Sequence, residues 1–291
     1  RPYNDEAVKE IARYIGTPEN PAMMSVINFP LKDAIDRVFQ QKMPTDVLTY
    51  RLRSVKDHFP DPQWLVNFID NHDGPRYLAH GSHASFRQAL LLILTIPGVP
   101  AIYYGTEQEL TGMRQAMFRG GVGSPEHDHF KTDSEAFLFL QELIRLRIEN
   151  KVFSRGELSV IQDNAAGPGV FAYLMSYGDT TLIMAMNTSG SVVFATGLQV
   201  PFEPGEVMQT IYSISGEEAE ATVSQTGGIN LLLSPGEGLV MAPSGIKKTE
   251  KESIGSVDIH VLPEESVAGS SLEISGSFTR EGELFIMTDG E

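Results

Sequence analysis

The chain has 291 residues, no cysteine and a formal net charge of −16 at pH 7. The lack of cysteine excludes disulfides, thiolate metal sites and cysteine nucleophiles, and the acidic balance argues against nucleic acid, because phosphate binding needs clustered Lys and Arg. No stretch approaches 18 consecutive apolar residues, so the sequence predicts no membrane span.

Residues 1–155 alternate helical patterns with short apolar runs. Apolar spacing predicts helices in "DEAVKEIARYIG", "PLKDAIDRVFQQ", "VLTYRLRSVKDHF", "SHASFRQALLLILTI" and "DSEAFLFLQELIRLRIEN". The apolar runs predict strands in "MMSVINF", "WLVNFID" and "VPAIYYG". Apolar strands that alternate with helices indicate a parallel sheet covered on both sides. Three such units are too few to close a barrel.

From about Val152 the helical periodicity gives way to short strands. Two strands are predicted around a turn at residues 177–179, and others follow in "SVVFATGLQV", "VMQTIYSI", "INLLL" and "GEGLVMAP". Their spacing predicts an antiparallel sandwich over residues 156–243. Residues 244–253 are polar and linker-like. Beyond them "VDIHVL", "SLEISG" and "GELFIMTDG" alternate again, so residues 244–291 are interpreted as a linker and an incomplete β-module.

The stretch "FIDNHDGPR" at residues 68–76 places several polar side chains at the end of a predicted strand. In parallel α/β folds substrate sites form at the carboxyl ends of strands, so Asn71, His72, Asp73 and Arg76 are expected to project into a cleft. A carboxylate there can balance developing positive charge, an imidazole can donate to hydroxyls, and a guanidinium can hold the carboxylate. A plain turn is the alternative, because Asp, Asn and Gly are common turn residues.

Four stretches, in the same order along the chain, resemble the α-amylase family, glycoside hydrolase family 13. "FIDNHDGPR" is similar to its fourth conserved stretch, and "TIPGVPAIYYGTEQELTG" to its eighth barrel strand and the following loop. "SVINFPLKDAIDRVF" resembles the sixth strand and helix, and "LIRLRIENKVFSRGEL" resembles the last barrel helix entering the C-terminal domain. The resemblance implies an α/β then all-β fold: strands six to eight of a TIM (β/α)8 barrel in residues 1–155, then the β-sandwich.

The resemblance also implies a function, that of a retaining hydrolase acting on α-1,4-glucosidic bonds of starch or maltodextrin. Asp73 would be the transition-state stabiliser, hydrogen-bonded to hydroxyls of the sugar being cleaved, and His72 would bind the same ring. Arg76 would bind a sugar or orient the aspartate, and Asn71 would be a further substrate-binding residue.

Other polar and aromatic candidates leave alternatives open. Tyr103 and Tyr104 could stack on a sugar or pack in the core, and Tyr104 is included among the predicted substrate-binding residues. Thr106 stands where the family more often has Asp or Gln. "HDHF" at residues 127–130 is interpreted as a solvated turn rather than a metal site. No metal ligand and no cofactor are therefore predicted for this chain.

Two catalytic groups that the family requires have no counterpart in the sequence. A retaining glycosidase needs a nucleophile and a general acid, two carboxyl groups about 5–5.5 Å apart, and the family carries both on barrel strands four and five. The chain alone is therefore expected to be inactive. Its partners would be an α-glucan and the N-terminal half of the same protein, which could also hold calcium. Without that half the sheet edge would be an aggregation template.

Several alternative functions stay open. A glucanotransferase, a neopullulanase or an α-glucosidase would use the same scaffold. A non-catalytic carbohydrate-binding protein on an amylase scaffold is the alternative from another class. An extracellular or periplasmic location is expected, with the cytoplasm as the alternative.

Overall fold

The computed structural model describes residues 3–17, 19–59, 61–245, 258–260 and 275–277. The chain divides into two compact units, residues 1–249 and 250–291. The predicted strand "GELFIMTDG" and most of the predicted linker lie outside the described residues.

All five predicted helices are present in the first unit, together with one short extra α-helix. They are α1 (Glu6–Ala12), α2 (Phe29–Ile35), α3 (Asp46–His58), α4 (His83–Thr95), α5 (Glu135–Glu149) and α6 (Val152–Arg155). A π-helical segment, Asp36–Gln40, continues α2. Helices α4 and α5 begin at serine caps, where the side chains of Ser82 and Ser134 accept backbone N–H groups of the first turn.

Two of the three predicted parallel strands form and lie next to each other. Strand β1 (Val66–Phe68) pairs in parallel with β2 (Val99–Ala101). In place of the full strand predicted in "MMSVINF", only Ile27 pairs, through an isolated parallel bridge to Val66. The spatial order is therefore Ile27, β1, β2, with each carboxyl end at the same edge.

Buried amides tie these three segments together. The Asn28 side chain donates to Asn67 Oδ1 at 3.0 Å, and Asn67 Nδ2 donates to the carbonyl of Pro97 at 2.8 Å. Asn28 Oδ1 also accepts from the backbone N–H of Leu31 at the start of α2. Both asparagines are buried, so their amides satisfy polar groups that water does not reach.

Eight strands follow α6 in the first unit, two more than the sequence predicted for that region. They are β3 (Glu157–Gln162), β4 (Val170–Tyr177), β5 (Thr180–Asn187), β6 (Val193–Gln199), β7 (Val207–Ser213), β8 (Glu220–Thr222), β9 (Gly228–Leu233) and β10 (Gly238–Pro243). Six of them make one sheet in the order β3-β4-β5-β10-β7-β8, and β6 pairs with β9. Every pairing among the eight is antiparallel. Strands β3 and β8 are the two that sequence analysis missed.

The two faces of the six-stranded sheet bury against different partners. Val170, Ala172 and Leu174 of β4 join an apolar cluster with residues of β6 and β9. The alternate residues of β4, including Phe171 and Tyr173, join the cluster that contains α4 and α5. The side-chain period of two therefore places this sheet between helices on one side and a second sheet on the other.

The second unit contains a short antiparallel pair, β11 (Asp258–His260) with β12 (Ser275–Ser277). Strand β11 falls inside the predicted strand "VDIHVL", and β12 overlaps the end of "SLEISG". In the part of the chain that the structure describes, no helix is long and apolar enough to cross a membrane.

The buried amide contacts generate a stability prediction. Replacing Asn67 by leucine leaves the Pro97 carbonyl and the Asn28 amide without partners, and should lower the free energy of unfolding by about 1–3 kcal/mol. Urea unfolding followed by circular dichroism measures this. The exposed Asn230, which accepts from Gly197 N at 2.8 Å, is the control. Asn230→Leu should change stability less, because water can replace its hydrogen bond, and equal losses would contradict the prediction.

Candidate active site

Two loops meet at the carboxyl edge of the parallel strands and form the candidate site. One loop, residues 69–82, follows β1, and the other, residues 102–114, follows β2. Arg114 Nε donates to the carbonyl oxygen of His72 at 2.9 Å, and Arg76 Nε donates to the Gly112 carbonyl at 3.4 Å. The loops are therefore joined in both directions by arginine-to-carbonyl hydrogen bonds.

His72 and Asp73 form the open part of the site. His72 Nε2 lies 3.2 Å from Asp73 Oδ1, and the two side chains are 62% and 56% exposed. Asn71 Oδ1 accepts the backbone N–H of Asp73 at 3.1 Å, which is the side-chain turn that asparagine commonly makes. The half-buried Asn71 thus shapes the turn, while the imidazole and carboxylate stay accessible to a ligand.

Arg76 lies beneath this pair rather than beside it. Its side chain is fully buried, and the carboxylate next to it belongs to Asp70, with Nη1 3.9 Å from Oδ2. Sequence analysis expected Arg76 to project into the cleft with Asn71, His72 and Asp73. The structure brings those three together at the surface and places the guanidinium in the layer below.

Asp70 was missed from the sequence, although it is the most fully bonded carboxylate of the site. It is 4% exposed. One oxygen accepts the backbone N–H of Tyr77, and the other accepts the Thr106 hydroxyl at 2.9 Å. The sequence pattern that could have identified Asp70 is an aspartate that ends an apolar strand and precedes Arg76 by six residues and Tyr77 by seven. Such a carboxylate needs local donors, because burial without them is expensive.

Tyr103 and Tyr104 both lie at the site. Their ring centroids are 4.4 Å apart, and the Arg76 Cζ atom is 4.3 Å from the Tyr103 centroid and 5.1 Å from the Tyr104 centroid. The Tyr103 and His72 ring centroids are 6.5 Å apart, and Tyr104 is 42% exposed. Partial burial, with help from the Tyr104 hydroxyl, raises the pKa of Tyr103. Its hydroxyl is therefore protonated at neutral pH.

The histidines of "HDHF" make contacts within their own loop. The rings of His127 and His129 are 5.0 Å apart, and His129 Nε2 lies 3.0 Å from Ser124 Oγ. The Asp128 carboxylate accepts the backbone N–H of Arg119 at 2.7 Å. Among the described residues no group of three or more His, Asp and Glu side chains could hold a metal ion.

Comparison with known proteins finds similarity to α-amylases and related enzymes. The family described as "Alpha amylase, catalytic domain" matches residues 5–128. A cyclomaltodextrin glucanotransferase of Thermoanaerobacterium thermosulfurigenes is 28% identical over 88% of this chain, and an α-amylase of Niallia circulans is 29% identical over 72%. The matched regions cover 34% and 39% of those proteins, so the chain spans little more than a third of their length.

Structural similarity covers most of the chain. The crystal structure of an Anoxybacillus α-amylase superposes with a TM-score of 0.66 at 21% identity, over 83% of this chain and 51% of that one. At that identity the similarity shows the fold alone.

The Asp70 environment gives a prediction for Thr106. Thr106→Val keeps the side-chain shape but removes the hydroxyl that donates to Asp70, and should lower the free energy of unfolding by about 1–2 kcal/mol. Urea unfolding is the measurement. The exposed Thr196 of β6 provides the same substitution without a buried acceptor, so Thr196→Val should be close to neutral. A neutral Thr106→Val would contradict the assigned hydrogen bond.

Proposed function

Because the chain belongs to the α-amylase family, we propose that it supplies the carboxyl-terminal part of the active site of a retaining α-glucan hydrolase. The observation that carries this proposal is the open His72–Asp73 pair, held at the carboxyl edge of two parallel strands beside Tyr103 and Tyr104. The substrate class is the α-1,4-glucan of starch or maltodextrin. An extracellular or periplasmic location is part of the same proposal.

In the proposed mechanism Asp73 acts electrostatically. Cleavage of a glycosidic bond passes through an oxocarbenium-like transition state, and a fixed carboxylate stabilises the positive charge that develops on the sugar. Asp73 would also accept hydrogen bonds from hydroxyls of that sugar. His72, 3.2 Å away, would donate to the same ring, and the turn made by Asn71 would hold the carboxylate in place.

The nucleophile and general acid have to come from elsewhere. Asp70 is the other carboxylate near the pair, but it is buried, accepts hydrogen bonds from Tyr77 and Thr106, and lies 3.9 Å from the Arg76 guanidinium. It therefore cannot reach an anomeric carbon. The curated relatives are about three times longer than the matched region. We propose that the missing carboxyl groups, and any bound calcium, belong to an N-terminal part of the same protein.

The proposed architecture places strands six to eight of a TIM barrel in residues 1–155, a β-sandwich in residues 156–243, and a linker with an incomplete β-module in residues 244–291. An N-terminal part of the barrel would pair with the Ile27 segment, on its side away from β1. Large apolar side chains are exposed near that side, including Met24 at 79%, Ile27 at 51% and Phe29 at 44%. Covering them would remove the open sheet edge as a site of aggregation.

Transglycosylation is the second candidate reaction. It is favoured by the number of cyclomaltodextrin glucanotransferases among the similar proteins. A transferase uses the same glycosyl intermediate and passes it to a sugar hydroxyl instead of water. The proposed roles of His72 and Asp73 are the same in both reactions.

The role of Asp73 is tested by Asp73→Asn in the full-length protein. The substitution keeps the side-chain size and removes the charge, so kcat on maltoheptaose should fall by about 10²–10³-fold. Asp179→Asn, at an exposed turn between β4 and β5, is the matched control and should retain wild-type kcat. Reducing-sugar release measures both, and wild-type turnover in Asp73→Asn would refute the assignment.

A second prediction concerns the chain by itself. Purified residues 1–291 should release no reducing sugar from soluble starch, because the described residues offer no nucleophile and acid pair around the site. The full-length protein should be active under the same conditions. Hydrolysis by the isolated chain, abolished by Asp73→Asn, would show that the two missing groups lie within it.

A further inference from the structure

Arg76 is the buried charge that the proposed mechanism does not use. Its side chain is fully buried, and in the part of the chain that the structure describes neither Nη nitrogen has a hydrogen-bond partner. Burying a guanidinium with so few partners is unfavourable. Its polar contacts are Nε to the Gly112 carbonyl at 3.4 Å and Nη1 to Asp70 at 3.9 Å.

The guanidinium also lies over the face of Tyr103. The Cζ atom lies 4.3 Å from that ring centroid, within the range in which a cation and an aromatic face attract each other. The surrounding backbone leaves space for this arrangement. A Cβ atom on Gly105, which has φ +82°, would lie 3.2 Å from Arg76 Nη2 and 2.5 Å from Leu110 Cδ1.

Contacts continue from Tyr103 to the open pair. The Tyr103 ring lies 6.5 Å from the His72 ring, and His72 lies 3.2 Å from Asp73. Below Arg76, Asp70 is fixed by Tyr77 and Thr106. The order from the strand end to solvent is therefore Asp70, Arg76, Tyr103, His72, Asp73.

We propose that Arg76 is a positioning residue that fixes the Tyr103 ring as the wall against which the sugar held by His72 and Asp73 packs. Arg76 touches no sugar in this assignment and acts through Tyr103. It pairs with Asp70, so it does not orient Asp73 either. The inference rests on the proposed glucan-binding function and adds to it a residue that sets substrate affinity from beneath the site.

The chemistry of the contact requires arginine rather than any cation. A guanidinium is planar and stacks on an aromatic face, whereas an ammonium group is a compact, strongly hydrated point charge. Arg76→Lys therefore retains the charge next to Asp70 and removes the flat surface under Tyr103. The substitution separates positioning of the ring from neutralisation of the buried carboxylate.

A double-mutant cycle in the full-length protein tests the proposal, with Arg76→Lys and Tyr103→Leu made singly and together. Each single substitution should raise KM for maltoheptaose about tenfold and change kcat less, because the wall contacts the sugar in both the ground and transition states. The KM of the double variant should lie within about twofold of the KM of Tyr103→Leu alone, because the two residues act as a unit. A KM equal to the product of the two single effects would overturn the proposal.

Arg51 of α3 gives the matched control for loss of a buried arginine, because its side chain is 2% exposed and its Nε has no hydrogen-bond partner among the described residues. Arg51 Nη1 donates to the carbonyl of Asn4 at 3.2 Å, away from the loops of the site. Arg51→Lys combined with Tyr103→Leu should show independent effects. Coupling of similar size in this pair would mean that the Arg76 result reflects general destabilisation, and would also overturn the proposal.

Two further measurements complete the test. If Arg76→Lys fails to fold, Arg76→Gln, with a planar but uncharged amide, replaces it in the cycle. Tyr103→Phe keeps the ring and should have a KM within about twofold of wild type, whereas an increase equal to that of Tyr103→Leu would overturn the wall assignment. A wild-type protein without glucan activity would refute the proposed function and this inference together. If the enzyme is active and depends on Asp73, but the Arg76 and Tyr103 substitutions change KM independently, the proposed function stands and only this inference is refuted.

Discussion

The carboxyl-terminal half of helix α4 is apolar on every face, and this constraint organises the first unit. Residues 89–94 of α4 are almost completely buried, so the helix requires neighbours all around it. Helices α2 and α5 supply part of this cover, and the sheet face bearing Phe171 and Tyr173 supplies another part. Helices and sheet therefore share one core. Polar contacts fix the contact between them: Gln88 Nε2 donates to the Asn187 and Glu237 carbonyls, and the Thr95 and Tyr173 hydroxyls lie 2.6 Å apart.

The same helix fixes the site, because it connects β1 to β2. Arg147 of α5 binds three carbonyls at the end of α4 and in the turn before β2. Burial lowers the pKa of Arg147 to about 10, so it stays charged at neutral pH. With the entry to β2 held in this way, the loops that leave β1 and β2 start from fixed positions. Their mutual hydrogen bonds through Arg76 and Arg114 are then geometrically possible.

Sequence patterns located the helices because each carries several turns of apolar spacing, and they located β4 and β5 because these strands are long and apolar. They failed where the repeats were short. Strand β8 has three residues, and β3 lies at the edge of its sheet with a mixed, half-exposed pattern. The run at residues 23–29 pairs only at Ile27. In the site, the sequence predicted that His72 and Asp73 lie at the end of a strand, but it did not predict the burial of Arg76. Whether Arg76 pairs with Asp70 or with Asp73 depends on tertiary contacts.

Asp70 and Asp73 lie three residues apart, and their surroundings separate them into different kinds of carboxylate. Asp70 is enclosed, with its oxygens turned toward Tyr77, Thr106 and Arg76, and has no path to a ligand. Asp73 is more than half exposed and contacts the turn made by Asn71 and the ring of His72. A buried ion pair is weak grounds for stability, since the desolvation of both charges can exceed their attraction. Its presence directly beneath an open carboxylate, with an aromatic ring stacked on the guanidinium, is better explained by the orientation it imposes on the residues above.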